Sequence, residues 1–132
     1  MVGRRGITQA AFTTKEIKDL CKLPNIKTYM IRSEFEDSMT DASKLELVLR
    51  GIGRRTEFLQ QNAFAIDTPE QYEHLVNDKS HRKLILRFLR NPVELYQKDG
   101  RIGGVRLQKM KLEGEAEYQK AVVSLDEDQE AY

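Results

Sequence analysis

Val2-Gly3-Arg4-Arg5-Gly6 sets two adjacent arginines between glycines, just after an apolar residue and shortly before Thr13-Thr14-Lys15-Glu16. An α/β nucleotide site needs this arrangement where a strand ends and meets a phosphate. A guanidinium is always charged and presents a planar fork of donors matched to phosphate oxygens. The flanking glycines let the backbone turn and come close without a Cβ in the way. In dinucleotide-binding folds an arginine at the end of the second strand accommodates the 2′-phosphate of NADP. Composition alone would leave an Arg-Arg pair on a solvated surface, so the rest of the chain has to decide.

The chain has 132 residues, enough for one domain with its own core. Lys and Arg (22) nearly balance Asp and Glu (21), so no global field marks a nucleic-acid or membrane binder. The balance hides a gradient. Bases predominate up to Lys111, whereas Glu113, Glu115, Glu117, Asp126, Glu127, Asp128 and Glu130 face Lys120 alone in the last stretch. A single cysteine, Cys21, rules out an internal disulfide and fits a reducing compartment. No apolar run is long enough to cross a bilayer, and Met1 leads into Val-Gly-Arg-Arg with no secretory h-region. A mature domain rarely begins on a strand end, so the start reads as a truncation point.

Thr13 and Glu16 form a capping box, and Ile17, Leu20 and Cys21 share one face of a helix that Pro24 stops. The spacing reads Glu16 as the cap itself; the alternative is a carboxylate that orients Arg4 or Arg5 or meets a ribose hydroxyl. Tyr29-Met30-Ile31 is a short strand or a buried loop. A second helix is expected from a Ser43/Glu46 box, with Leu45, Val48, Leu49, Ile52 and Leu59 as its stripe and a kink near Gly51 and Gly53. Arg50 and Arg54 lie on the opposite face, either as a solvated face or as a compact site for an acidic partner. Thr68-Pro69-Glu70-Gln71 starts a third helix, with Tyr72, Leu75 and Val76 inward.

From residue 79 the pattern becomes strands: Lys83 to Arg90, an interruption at Asn91-Pro92, then Val93 to Gln97. Asp99-Gly100 signals a hairpin turn, Gly103-Gly104 a bulge, and Ala121-Val122-Val123 a last short strand. His74 and His81 have no metal-ligand spacing, and no nucleophile elbow, phosphate-binding loop or redox Cys pair occurs. Gly51-Ile52-Gly53-Arg54-Arg55 echoes a dinucleotide fingerprint but lacks the third glycine and follows no strand. By itself the chain shows no catalytic machinery.

Val2-Gly3-Arg4-Arg5-Gly6, Gln9-Ala10-Ala11-Phe12-Thr13-Thr14-Lys15-Glu16-Ile17 and Leu23-Pro24 closely resemble the NADPH:adrenodoxin reductase family, the mitochondrial-type ferredoxin–NADP reductases. The resemblance continues through Arg54-Arg55-Thr56-Glu57-Phe58-Leu59, Leu86-Arg87-Phe88-Leu89-Arg90-Asn91-Pro92-Val93 and Asp99-Gly100-Arg101-Ile102-Gly103-Gly104-Val105-Arg106-Leu107. It implies an α/β fold, a partial Rossmann-like NADP-binding domain with helices followed by an antiparallel β-meander. On this reading residues 1–132 are an incomplete NADP-binding domain: strand end and helices over 1–78, meander over 79–125, acidic tail over 126–132.

The family passes a hydride from NADPH to FAD, then single electrons to an acidic 2Fe–2S ferredoxin (adrenodoxin). The resemblance therefore implies that Arg4 and Arg5 contact the NADP 2′-phosphate with Glu16 nearby, and that Arg50, Arg54 and Lys18 dock the ferredoxin. It also implies mitochondrial residence on the matrix side and peripheral inner-membrane association of the full enzyme. The family's glycine-rich pyrophosphate loop and FAD-binding region have no match here, so marginal stability, weak NADPH binding and no activity of the segment alone are expected. The rival reading is a non-enzymatic module that binds an acidic protein through its basic helix face. A nucleic-acid role fits least, because the arginines are scattered and not interleaved with aromatics.

Overall fold

A computed structural model describes residues 1–124 and the backbone of 129–131. Helix α1 (Thr14–Cys21) begins at the expected box: the Glu16 N–H donates to Thr13 Oγ1 at 3.1 Å, and the Thr13 N–H donates to Glu16 Oε2 at 2.7 Å. This box satisfies two backbone donors that the helix itself leaves unpaired. Ile17 is fully buried on its inner face. After α1, Asn25 adopts φ 61°, a left-handed conformation that asparagine tolerates, and turns the chain into β1 (Ile26–Ile31).

Next come α2 (Arg32–Ser38), α3 (Asp41–Glu46), α4 (Arg50–Asn62), β2 (Phe64–Ile66), α5 (Pro69–Asn77) and β3 (Arg82–Leu86). The three strands form a parallel sheet in the order β2-β1-β3, with Tyr29 opposite Phe64 and Met30 opposite Leu86. Val2 extends the same sheet past β3 through a parallel bridge to Arg87. The second sheet contains β4 (Arg90–Lys98), β5 (Arg101–Glu113), β6 (Lys120–Val123) and β7 (Gln129–Ala131). β5 is central, with β4 on one edge and β6 and β7 on the other, all antiparallel. One apolar core joins both sheets to the helices: Ile17 of α1 and Leu59 of α4 pack with Met30 and Leu86 of the parallel sheet and with Met110 and Leu112 of β5.

The fold is thus mixed α/β, as expected, and its local signals hold. Thr68 caps α5 with Pro69 in its first turn. Asp99 and Gly100 both take positive φ, 52° and 76°, in the β4–β5 turn. Gly103 is the bulge residue, because Tyr96 faces Gly104 while Gln97 faces Ile102. A Cβ on Gly103 would lie 2.6 Å from Lys98 Cβ.

Three expectations are corrected. The helix expected from Ser43 starts earlier, at Thr40, whose Oγ1 accepts from the Ser43 N–H, and it ends at Glu46. The expected stripe is therefore split between α3 and α4, and Leu45 and Val48 are 64% and 84% exposed. Gly53 permits the break, since a Cβ there would meet the Leu47 carbonyl oxygen at 2.4 Å. Second, residues 82–86 join the parallel sheet, and the meander begins only at Arg90; an apolar run such as Leu84-Ile85-Leu86 suits a parallel strand as well as an antiparallel one. Third, the interruption falls at Arg87–Leu89, where Leu89 takes φ 54°, and Pro92 is accommodated inside the edge strand β4 beside a register shift. Of the expected acidic tail, Gln129–Ala131 pair as β7, and 125–128 and Tyr132 lie outside the described residues.

Candidate cofactor site and basic face

The bend at Arg4 and Arg5 is held by its backbone. The Gly3 N–H donates to the Arg87 carbonyl at 2.8 Å, the Arg90 N–H to the Gly3 carbonyl at 3.0 Å, and the Leu89 N–H to the Arg5 carbonyl at 3.2 Å. The Leu89 carbonyl in turn accepts from the Met110 N–H at 2.9 Å, which ties the bend to β5. A Cβ on Gly6 would lie 2.6 Å from Ser38 Cβ, so glycine lets α2 approach the bend at this point. The Arg4 and Arg5 side chains are exposed and, among the described residues, make no hydrogen bond or ion pair. A rigid backbone thus presents two unengaged guanidinium groups.

Three buried polar groups brace this bend. Glu34 of α2 is 1% exposed, and its carboxylate accepts from Arg87 Nη2 at 2.7 Å and from the Phe88 N–H at 3.0 Å, with Arg90 Nη2 at 3.3 Å. Burial acts to lower the Arg87 pKa, but hydrogen bonding and charge from Glu34, with a contribution from Tyr72, hold it above its ordinary value. The Tyr72 ring lies 5.2 Å from the Arg87 guanidinium. Arg55 of α4 is buried without a carboxylate partner among the described residues. It donates to the carbonyls of Phe12 at 2.7 Å, Thr8 at 3.1 Å and Ile7 at 3.3 Å, and burial lowers its pKa. Glu46 of α3 accepts from Gln9 Nε2 at 2.9 Å, the Glu117 N–H at 2.9 Å and Gln119 Nε2 at 3.0 Å. Arg55 and Glu46 therefore hold residues 7–12, the segment that follows the bend, from two sides.

Arg4 and Arg5 stand between two hollows. One of about 310 Å³ has an apolar lining that includes Ala10, Ala11, Phe12, Leu86 and Phe88. The other, about 300 Å³, is lined by Arg4, Arg5, Gln119, Lys120 and Ala121. Glu16 is exposed, with one carboxylate oxygen closing the Thr13 cap, and it lines neither hollow. Lys18, Arg50 and Arg54 come together: with Thr14, Glu57 and Phe58 they line one depression of about 700 Å³ between α1 and α4. All three are exposed, and Lys18 Nζ sits 5.6 Å from the Phe58 ring centre. None of the bracing residues Glu34, Glu46, Arg55 and Arg87 is expected as a brace from sequence; the spacing makes Glu46 the cap partner of Ser43, but Thr40 is the cap and Glu46 bonds Gln9, Glu117 and Gln119 instead. Two of them, Arg55 and Arg87, fall within the resembling blocks, which is the one signal that could have flagged them.

No model of a known protein family matches the chain. The chain superposes on the Mycobacterium tuberculosis oxidoreductase FprA, solved in complex with NADPH, with a TM-score of 0.71 and 26% identity, over 98% of this chain and 26% of that one. Among curated proteins it is 37% identical over 126 residues to the mitochondrial NADPH:adrenodoxin oxidoreductase of Salvelinus fontinalis, covering 94% of this chain and 24% of that protein. The mitochondrial NADPH:adrenodoxin oxidoreductase of Homo sapiens is 35% identical over 128 residues, covering 96% of this chain and 25% of that protein. The chain is a homologue of the NADPH:adrenodoxin oxidoreductases and spans about a quarter of the length of the curated relatives it matches.

Proposed function

We propose that these residues are the NADP-binding part of a mitochondrial flavoprotein oxidoreductase that carries electrons from NADPH through FAD to an acidic 2Fe–2S ferredoxin of the adrenodoxin kind. The observation that carries this reading is the clamped bend with two exposed, unengaged guanidinium groups, in a chain homologous to NADPH:adrenodoxin oxidoreductases. Arg4 and Arg5 bind and orient the 2′-phosphate through charge-assisted hydrogen bonds, and a fixed backbone lowers the ordering cost of doing so. Glu16 keeps its cap and sits beside the bound cofactor. NADPH, when bound, supplies the hydride; FAD is assigned to other parts of such a reductase, so these residues select the cofactor without catalysing by themselves.

The test is calorimetric binding of 2′,5′-ADP and 5′-AMP, which differ only in the 2′-phosphate. The wild-type chain should prefer 2′,5′-ADP by about tenfold or more. Arg4→Ala with Arg5→Ala should erase the preference while leaving 5′-AMP binding nearly unchanged. Equal binding of the two nucleotides to the wild type would overturn the reading.

The depression shared by Lys18, Arg50 and Arg54 favours docking of the acidic ferredoxin there. It also serves the rival reading of a non-enzymatic module for an acidic protein. Both predict that ferredoxin binding weakens steeply with added salt and falls in Arg50→Ala and Arg54→Ala. Only the reductase reading predicts that the same chain also selects the 2′-phosphate. Salt-insensitive binding would remove the docking assignment.

A further inference from the structure

The hollow that Arg4 and Arg5 share with β6 contains a third base. We propose that Lys120 is a specificity residue of the phosphate site, completing a three-cation basin with Arg4 and Arg5; this rests on the cofactor reading above. Among the described residues that line this hollow there is no carboxylate: they are Arg4, Arg5, Gln119, Lys120 and Ala121. Lys120 is exposed and has no ion pair among the described residues. The acid best placed to take it, Glu113, is its partner across the β5–β6 ladder, but the Glu113 carboxylate pairs with Lys111 at 3.2 Å.

The position of Lys120 relative to the arginines is also built in. Gln119, the residue before it, is 4% exposed, and both ends of its amide are engaged: Nε2 donates to Ser43 Oγ at 2.9 Å and to Glu46 at 3.0 Å, while Oε1 accepts from Thr40 Oγ1 at 2.6 Å. Glu46 reaches Gln9, and the Gln9 side chain accepts from the Gly6 N–H at 3.1 Å, next to Arg5. A continuous relay of polar groups, Gly6–Gln9–Glu46–Gln119, in which Gln9 is half-buried and the others are buried, thus joins the base of the bend to the start of β6. Supporting shells of this kind hold functional groups in register. A phosphate monoester carries close to two negative charges at neutral pH, so a third cation beside two guanidinium groups adds attraction that a nucleotide without that phosphate does not feel.

The experiment measures the ratio of 2′,5′-ADP to 5′-AMP affinity in Lys120→Ala, Lys120→Arg and the Arg4→Ala/Arg5→Ala pair. Lys120→Ala should cut the ratio about fivefold, in the range of an exposed charge pair. Lys120→Arg should restore it, and thermal stability should not change, because the side chain is exposed. If the arginine variant loses the preference but Lys120→Ala keeps it, or if Lys120→Ala weakens both nucleotides equally, the role of Lys120 is overturned and the cofactor reading stands. If the wild type shows no preference, the cofactor reading fails and takes this one with it.

Discussion

Arg4 and Arg5 sit in a bend that has no regular structure of its own, and both side chains reach solvent. Arg54 and Arg55 are consecutive on α4, where each residue advances about 100° around the axis. Arg54 therefore points out to the depression with Lys18, while Arg55 points in, buried against the carbonyls of Ile7, Thr8 and Phe12. The same dipeptide gives two free cations in one place, and one free and one structural cation in the other. Backbone conformation, not residue type, divides the work. The two pairs are also connected, because the inward arginine holds the segment that follows the outward pair.

A third group of arginines sharpens the contrast. Arg87 and Arg90 are buried with a carboxylate, Glu34, whereas among the described residues Arg55 is buried against carbonyl dipoles and the Phe12 ring, with no carboxylate. Removing Glu34, the acid these two buried cations share among the described residues, takes away a buried charge partner, which costs about 3–5 kcal/mol. Glu34→Ala should therefore produce the largest loss in a urea denaturation series. A loss under about 1 kcal/mol would mean that Arg87 and Arg90 are compensated without Glu34, and that their burial does not depend on this carboxylate.

Arg55→Met keeps bulk but removes three hydrogen bonds and leaves carbonyls unsatisfied. A cost of about 2–3 kcal/mol is expected, below that of Glu34→Ala because no opposite charge is stranded. It should also weaken 2′,5′-ADP binding by loosening residues 7–12. Arg54→Ala, one position away, should stay within about 0.5 kcal/mol of wild type and leave nucleotide binding alone. Equal costs for the two would break the inward–outward division of the pair.

Local chemistry was the legible part of this chain. The Thr13/Glu16 and Thr68/Gln71 boxes and the Asp99-Gly100 turn each depend on residues within a few positions, so spacing suffices to read them. The parallel sheet was not legible, because β1 pairs with strands far along the chain and its own apolar run, Tyr29-Met30-Ile31, is too short to declare a partner. Arg50 and Arg54 share a helix face by spacing, but only tertiary packing brings Lys18 of α1 beside them. The buried charges escaped for a different reason. Glu34, Glu46, Arg55 and Arg87 belong to residue types that are almost never fully buried unless paired, and their charged or amide partners lie from 37 to 73 positions away or are backbone atoms. Lys120 looked like a lone base in an acidic stretch, and its neighbourhood with Arg4 and Arg5 exists only in three dimensions.

Glu46 allows the smallest and most discriminating test, because it braces the same segment as Arg55 but with the opposite charge. Burial acts to raise its pKa, yet hydrogen bonds from Gln119, Thr8, the Glu117 N–H and Gln9 outweigh that and hold it below the ordinary carboxylate value. A carboxyl group with a lower pKa in the folded chain binds its proton less readily there than in the unfolded chain. Its stabilisation is thus complete above the ordinary carboxylate pKa, near 4.3, and is lost as pH falls through the folded value. Glu46→Gln keeps the shape and removes the charge, so at neutral pH it should cost about 1–2 kcal/mol. As pH falls through the folded value the gap between wild type and variant should close, since both then carry a neutral group. Arg55→Met should show no such convergence, because its guanidinium stays charged throughout that range. If the Glu46→Gln gap does not narrow as the pH falls, the relay to Gln119 is held by shape and not by the carboxylate charge.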